Sequence, residues 1–404
     1  MPAPATRVAT FWARVRVRPG SRAVHAGHLK KARTPLSPPI FQTAVYTYDS
    51  LEDYDAVARG DLQGHFYART SNENVAMLAE AVAELEGAEA GVATSSGMAA
   101  IHVAIGALAP KPCPIVAPLD LYGGTWVLFR QELEPVGYTT RAVDFRDLEA
   151  VRSAIDGAGL VVCETITNPL VRVADLEAIC RMAAEAGVPV LVDNTFATPI
   201  LCRPLELGAT MSVHSATKYL GGHSDLTAGV AVGGAEHVKA ARSRSSRIGT
   251  TLGPFEAWLA VRGMRTLELR VRRMSENALV LAAALQEAPG VAGVHYPTLP
   301  GSAQEELARR LLPEGAGGML AIQLDGGRAA VQRMMDRFAM VSFAASLAGV
   351  ETTISHPEVT SHRYFSPAER AALGIHPGTV RISAGIEEAG DIVEDFLQAL
   401  GSEE

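Results

Sequence analysis

The period of the apolar positions changes along the chain in a regular way. After Asn72, Leu78, Val82 and Leu85 recur at helical spacing and Gly87 follows as a stop, which predicts a helix. Gly91–Thr94 reads as a short strand and Met98–Leu108 as a helix. Short apolar runs predict further strands at Pro114–Pro118, Leu160–Glu164, Val188–Asp193 and Thr210–His214, with helical patterns such as Asp175–Ala186 between the later ones. Strands alternating with helices predict a mainly parallel sheet covered on both faces, an α/β architecture.

The flanks behave differently. Residues 1–66 hold no sustained period but carry Pro35, Pro38 and Pro39 with aromatics at Phe41, Tyr46, Tyr48, Tyr54 and Phe66, which predicts an extended arm lying over another surface. Arg262–Gln286 predicts one long, arginine-rich helix leading into a second unit. There, Met319–Leu324, Met340–Phe343 and Val380–Ala384 read as strands, and Ala303–Leu312, Ala329–Arg337 and Ile392–Leu400 as helices. The expected organisation is an N-terminal arm (1–66), an α/β domain (67–265) and a smaller C-terminal α+β domain (266–404). The serine/arginine patch Arg242–Arg247 is expected to be a solvated loop or helix end.

Composition narrows the classes. A chain of 404 residues that is 48% apolar can bury a large core. Its net charge of −8 speaks against nucleic acid or an anionic membrane as main partner, while leaving room for a small anionic ligand in a local pocket. Cys113, Cys163, Cys180 and Cys202 are widely spaced, the pattern of reduced thiols rather than of disulfides or a zinc site, and no metal is expected. No apolar run reaches membrane-spanning length, and the first twenty residues lack the apolar core of a secretion signal. The expectation is a cytoplasmic protein with no membrane partner.

Candidate chemistry centres on Val213-His-Ser-Ala-Thr-Lys-Tyr-Leu-Gly-Gly-His-Ser-Asp225. Among 36 lysines and arginines only Lys30, Lys31, Lys111, Lys218 and Lys239 are lysines, so Lys218, set between the hydroxyls of Ser215 and Thr217 and a glycine pair, stands out. A desolvated lysine can release its proton and form a Schiff base, which arginine cannot. Thr94-Ser-Ser-Gly-Met98 joins a strand to a helix; taken alone it suits an ordinary capped turn better than a phosphate held by the amides at Gly97 and Met98. Asp193 closes an apolar strand, where an unpaired carboxylate is costly. It suits a turn, or a cationic partner such as a protonated ring nitrogen, worth on the order of 4 kcal/mol at about 4 Å and an effective dielectric of about 20. Tyr122, followed by Gly123 and Gly124, could stack on a flat ligand and carry a proton.

These segments, with Thr167-Asn-Pro169, Ser346-Leu347, His356-Pro357 and Arg381-Ile-Ser-Ala-Gly-Ile-Glu387, resemble the pyridoxal-phosphate enzymes of cysteine and methionine metabolism, of the cystathionine γ-lyase and γ-synthase kind. The resemblance runs from about Ser21 to the C-terminus. It implies a fold-type-I, aspartate-aminotransferase-like enzyme that binds pyridoxal 5'-phosphate. On that resemblance Lys218 carries the cofactor and then serves as acid and base. Asp193 pairs with the ring nitrogen, Tyr122 stacks on the ring, and Asn168 sits near its phenolic oxygen. Gly97, Met98, Ser215 and Thr217 hold the phosphate, while Tyr67 and Arg69 reach the phosphate of a neighbouring subunit. Arg381 clamps the substrate α-carboxylate, with Ser346 helping through its backbone and Asn168 nearby.

Three positions depart from the family pattern. Asn72-Glu-Asn74 replaces the usual Asn-Pro-Thr, Ala345 stands where many cystathionine-handling members have glutamate, and Gly124 stands where methionine γ-lyases typically have cysteine. The resemblance implies γ-elimination on a sulfur amino acid such as cystathionine, homocysteine or methionine, giving a 2-oxo acid, ammonia and a thiol. It leaves open γ-replacement on an O-acyl-homoserine, or a silent binding protein on the same fold. It also implies a homo-oligomer, a tetramer built from active dimers.

Overall fold

The computed structural model describes residues 18–27, 35–62 and 64–401. The helix Glu73–Glu86 begins where Asn72 accepts a hydrogen bond from the Asn74 amide and ends at Gly87, whose φ of 73° lies in the left-handed region. Leu78, Val82 and Leu85 lie on its buried side. Each such burial contributes about 1.5–3 kcal/mol.

Seven strands form the larger sheet: β1 (Ala90–Thr94), β2 (Pro114–Pro118), β3 (Thr139–Val143), β4 (Leu160–Glu164), β5 (Val190–Asp193), β6 (Met211–Ser215) and β7 (Gly229–Gly233). Their order is β1-β7-β6-β5-β4-β2-β3, and only β7 runs antiparallel to its neighbours. The helix Glu73–Glu86 packs on β1 and β7, and the helix Gly97–Leu108 packs over β6 and β7. A second sheet of β8 (Val291–His295), β9 (Met319–Leu324), β10 (Ser342–Phe343), β11 (Thr353–Ser355) and β12 (Thr379–Ser383) has the order β10-β11-β12-β9-β8. Val192 and Ala216 of the first unit share one buried cluster with Leu320 and Ile382 of the second.

Two expectations need correction. The segment 1–66 is not simply extended, because Pro19–His25 and Leu51–Arg59 are helical; residues 1–17, 28–34 and 63 lie outside the described part. The helix Leu51–Arg59 is charged and mostly exposed, so it has little apolar period to betray it, although Ser50 and Gly60 cap it. The long helix expected over Arg262–Gln286 divides into Pro254–Met264 and Leu267–Gln286. At the break, a Cβ on Gly263 would meet the Gly221 carbonyl at 2.1 Å. The buried Arg270 donates to the carbonyls of Gly263 and Tyr219, both at 2.8 Å, and so ties the end of the first helix to the loop after Lys218. The patch Arg242–Arg247 forms the last turns of the helix Ala235–Ile248.

Candidate active site

The carboxyl ends of the co-directional strands point one way, and ligands of open α/β sheets collect beyond such ends. Here the loops after β1, β2, β4, β5 and β6 close, together with Arg381 of β12, around a cavity of about 440 Å³. Gly97, Met98, Tyr122, Asn168, Asp193, Ser215, Thr217, Lys218 and Arg381 all line it. Chain positions from 97 to 381 therefore meet in one place.

Lys218 enters on the turn after β6, and its Nζ donates to Ser346 Oγ at 3.0 Å. Burial, and then the nearby Arg381 cation, bring its pKa down to about 8. The strand behind it is fixed by Glu86, a fully buried carboxylate on which His214 Nε2 (2.6 Å), Ser212 Oγ (3.0 Å) and Asn194 Nδ2 (2.9 Å) converge. Asp193 opens onto the cavity. Both Thr195 donors, its amide at 3.0 Å and its hydroxyl at 2.5 Å, fall on Oδ1 of Asp193. The turn expected at Asp193 thus occupies Oδ1 and leaves Oδ2 uncommitted. Burial raises the Asp193 pKa, and the Thr195 hydrogen bonds oppose that rise.

Arg381 is buried, donating Nη1 to Asn168 Oδ1 (3.2 Å) and Nη2 to the Ser346 carbonyl (2.9 Å), while its buried Nε has no partner. Desolvation lowers its pKa to about 10, which still leaves it cationic at neutral pH. Tyr122 keeps its proton, because burial raises its pKa more than Arg381 lowers it. Its ring occupies the space that glycine leaves, since a Cβ on Gly124 would meet Tyr122 Cε1 at 2.5 Å. Across the cavity Ser96 caps the helix Gly97–Leu108 by accepting from the Ala99 amide at 3.1 Å. A Cβ on Gly97 would meet that of Ser215 at 2.7 Å, so the absence of a side chain lets the helix start and β6 close into one cradle.

Ser346 does not line the cavity directly, but it touches both Lys218 and Arg381. Tyr67 and Arg69 stand elsewhere: Tyr67 is 46% exposed, and Arg69 donates to the Ser246 carbonyl at 2.8 Å. Glu164, Thr195 and Ser361 also line the cavity and were not among the sequence candidates. Glu164 carries the signal that singled out Asp193, an acid closing an apolar run.

An amine of lowered basicity, a carboxylate with an uncommitted oxygen, a buried arginine with a free donor and a glycine-opened helix start define an enzyme site built for an anionic, ring-bearing cofactor and a small carboxylate substrate. Residues 20–401 match the family described as Cys/Met metabolism PLP-dependent enzyme, and the chain belongs to that family. It is 39% identical over 388 residues to an L-methionine gamma-lyase of Porphyromonas gingivalis, covering 95% of this chain and 96% of that one. It is 35% identical over 381 residues to an O-succinylhomoserine sulfhydrylase of Pseudomonas aeruginosa, covering 94% of each. Its fold superposes, with a TM-score of 0.88 and 36% identity over 95% of this chain and 98% of the other, on the crystal structure of cystathionine gamma synthase from Xanthomonas oryzae pv. oryzae in complex with aminoacrylate and cysteine. No helix among the described residues is long and apolar enough to cross a membrane.

Proposed function

We propose that the protein is a pyridoxal-phosphate-dependent carbon–sulfur lyase that performs γ-elimination on a sulfur amino acid, releasing a 2-oxo acid, ammonia and a thiol. The observation that carries this reading is the convergence of Lys218, Asp193 and Arg381 on one cavity. Pyridoxal phosphate, when bound, supplies an aldehyde that a primary amine can capture and a ring that accepts the electron pair left at the substrate α-carbon. Lys218 would hold it covalently; Asp193, through its uncommitted oxygen, would keep the ring nitrogen protonated. The amides at Gly97 and Met98 and the hydroxyls of Ser215 and Thr217 would hold its phosphate. Tyr122 would stack on the ring, and Asn168 would face its phenolic oxygen.

Arg381 would hold the substrate α-carboxylate with its remaining donors, Asn168 and Ser346 fixing the orientation of its planar guanidinium. As a free amine Lys218 would take the substrate α-proton; a pKa near 8 in the cofactor-free protein leaves a useful neutral fraction at physiological pH. Lys218 would also carry off a β-proton as the γ-substituent leaves, Tyr122, still protonated, would give its hydrogen to the departing sulfur, and one water would be consumed in releasing the 2-oxo acid and ammonia. Ala345 contributes no charge to the cavity wall, which supports an uncharged thioether such as methionine over the distal ammonium group of cystathionine.

γ-Replacement on an O-acyl-homoserine is the second reading, supported by the sulfhydrylase and synthase relatives. Assays of the purified enzyme with and without a thiol acceptor separate the two. Release of a 2-oxo acid from methionine or cystathionine alone is expected. Turnover only with an acylated homoserine plus thiol would establish replacement instead, and absence of turnover on any of these would point to a silent binding protein.

The division into an arm (1–66), a cofactor domain (67–265) and a C-terminal domain (266–404) is supported by the helix break at Arg265 and Thr266. The position of Tyr67 and Arg69 outside their own cavity supports a dimer in which each completes its neighbour's phosphate site, and a tetramer of such dimers. We place the enzyme in the cytoplasm, consistent with its four free cysteines.

A further inference from the structure

Two acids end neighbouring strands on one wall of the cavity. Glu164 closes β4, Asp193 closes β5, and the parallel register pairs them directly. Paired positions of adjacent parallel strands present their side chains on the same face, so the two carboxyl groups are neighbours in low-dielectric surroundings. Only 5% of Glu164 is exposed. Its Oε1 accepts from the Tyr122 amide at 3.0 Å, whereas its Oε2 is buried and has no hydrogen-bond partner.

Among the described residues no cation pairs with it. Arg172 pairs with Asp120 at 3.1 Å, and Arg381 spends its Nη donors on Asn168 and Ser346. An ionised carboxylate with one oxygen unsolvated and another acid beside it is a costly arrangement, and a proton removes most of that cost. Asp193 differs, because two Thr195 donors fall on one of its oxygens. Burial first, then the Asp193 charge, push the Glu164 pKa well above the usual carboxylate range, against the pull of the Tyr122 and Asn168 amides; Asp120 adds to the rise.

We propose that Glu164 stands in the cavity wall as a neutral carboxylic acid, a positioning residue that fixes Tyr122 through Oε1 and leaves Asp193 as that wall's single negative charge. Two acids on adjacent strands would otherwise compete for one ring nitrogen; with Glu164 neutral, the charge lies where the ring needs it. Its service to the cofactor rests on the reading of this cavity as the pyridoxal-phosphate site.

The test combines infrared spectroscopy with cofactor binding. At pH 7, the difference spectrum of wild type against Glu164→Gln should contain a carboxylic-acid C=O stretch that the variant lacks. Glu164→Ala, which strips the Tyr122 amide of its acceptor, should weaken pyridoxal-phosphate binding roughly tenfold, the loss expected for an unsatisfied buried donor. Glu164→Gln keeps a neutral acceptor in the same place and should recover most of that loss. A carboxylate band in place of the acid band, or a glutamine variant as weak as the alanine one, overturns the proposal. The spectrum alone decides if Glu164→Ala does not fold. Wild-type protein that shows the acid band yet binds no pyridoxal phosphate would sink the cofactor reading instead and leave the protonation state standing.

Discussion

Lys218 shows how one side chain can be set against the stability of its own fold. Free lysine holds its proton up to about 10.5, and burial beside Arg381 brings that down to about 8. Between those values the unfolded chain binds more protons than the folded one, so the stability of the cofactor-free protein rises with pH across that window. Below about pH 8 both states are protonated, and the folded state carries the whole penalty, about 3 kcal/mol at most. Replacing Lys218 by Met removes the buried charge and loses one hydrogen bond to Ser346, worth about 1 kcal/mol. The cofactor-free Lys218→Met variant should therefore melt above wild type at pH 7 and lose that advantage by about pH 10.5. An equal or lower melting temperature at pH 7 would mean that the amine sits in its site without strain. The residues of this site are legible in sequence where their chemical type conflicts with their surroundings, as with a lysine in an arginine-rich chain or an acid ending an apolar strand. Glu164 shows the same conflict, but its meaning depends on the register that sets it beside Asp193, and register is a property of the pair of strands.

At the level of elements, legibility followed burial. The helix Glu73–Glu86 is read directly because its apolar positions face one core, and the strand Pro114–Pro118 because its apolar run is buried on both faces. Strand β3 escapes because it is an edge strand without a fully buried position, and β7 because glycines at both ends of Gly229-Val-Ala-Val-Gly233 leave only three apolar side chains as a signal. The unusual Asn72-Glu-Asn74 acquires its meaning only in three dimensions. Asn74 Oδ1 accepts from the Phe41 amide at 2.7 Å, its Nδ2 donates to the Pro39 carbonyl at 2.9 Å, and Asn72 Nδ2 donates to the Phe41 carbonyl at 2.9 Å. Glu73 takes the Tyr46 hydroxyl. The arm is thus pinned to a helix start by backbone contacts that an Asn-Pro-Thr sequence would have to make differently. Asn74→Ala removes two of these part-buried bonds, about 0.5–1.5 kcal/mol each, and should cost about 1–3 kcal/mol in urea unfolding. Limited proteolysis should then cut the segment around residues 39–41 before the rest of the chain. Resistance equal to wild type would show that the aromatic contacts of the arm hold it unaided.

Across the whole molecule, the C-terminal unit brings Arg381 and the segments around Ala345 and Ser361 to a cavity whose remaining wall comes from the first unit, over a shared buried core. The same chain leaves Tyr67 and Arg69 on the outside, with Arg69 resting on the end of the helix Ala235–Ile248. If these two residues complete a neighbour's phosphate site, every active site is divided between two chains, and complementation exposes the division. Lys218→Ala lacks the amine proposed as acid and base, and Arg69→Ala lacks the cation proposed for the neighbour's phosphate site, so each variant alone should be inactive or nearly so. In a hybrid dimer, one site collects both defects while the other combines an intact Lys218 from one chain with an intact Arg69 from its partner. Random reassortment of equal amounts makes half the dimers hybrids with one sound site each, so activity should return to about a quarter of wild type. Mixing without subunit exchange should return none. If refolded mixtures stay at the sum of the two variants, Arg69 acts within its own chain or not at all, and the divided site is wrong.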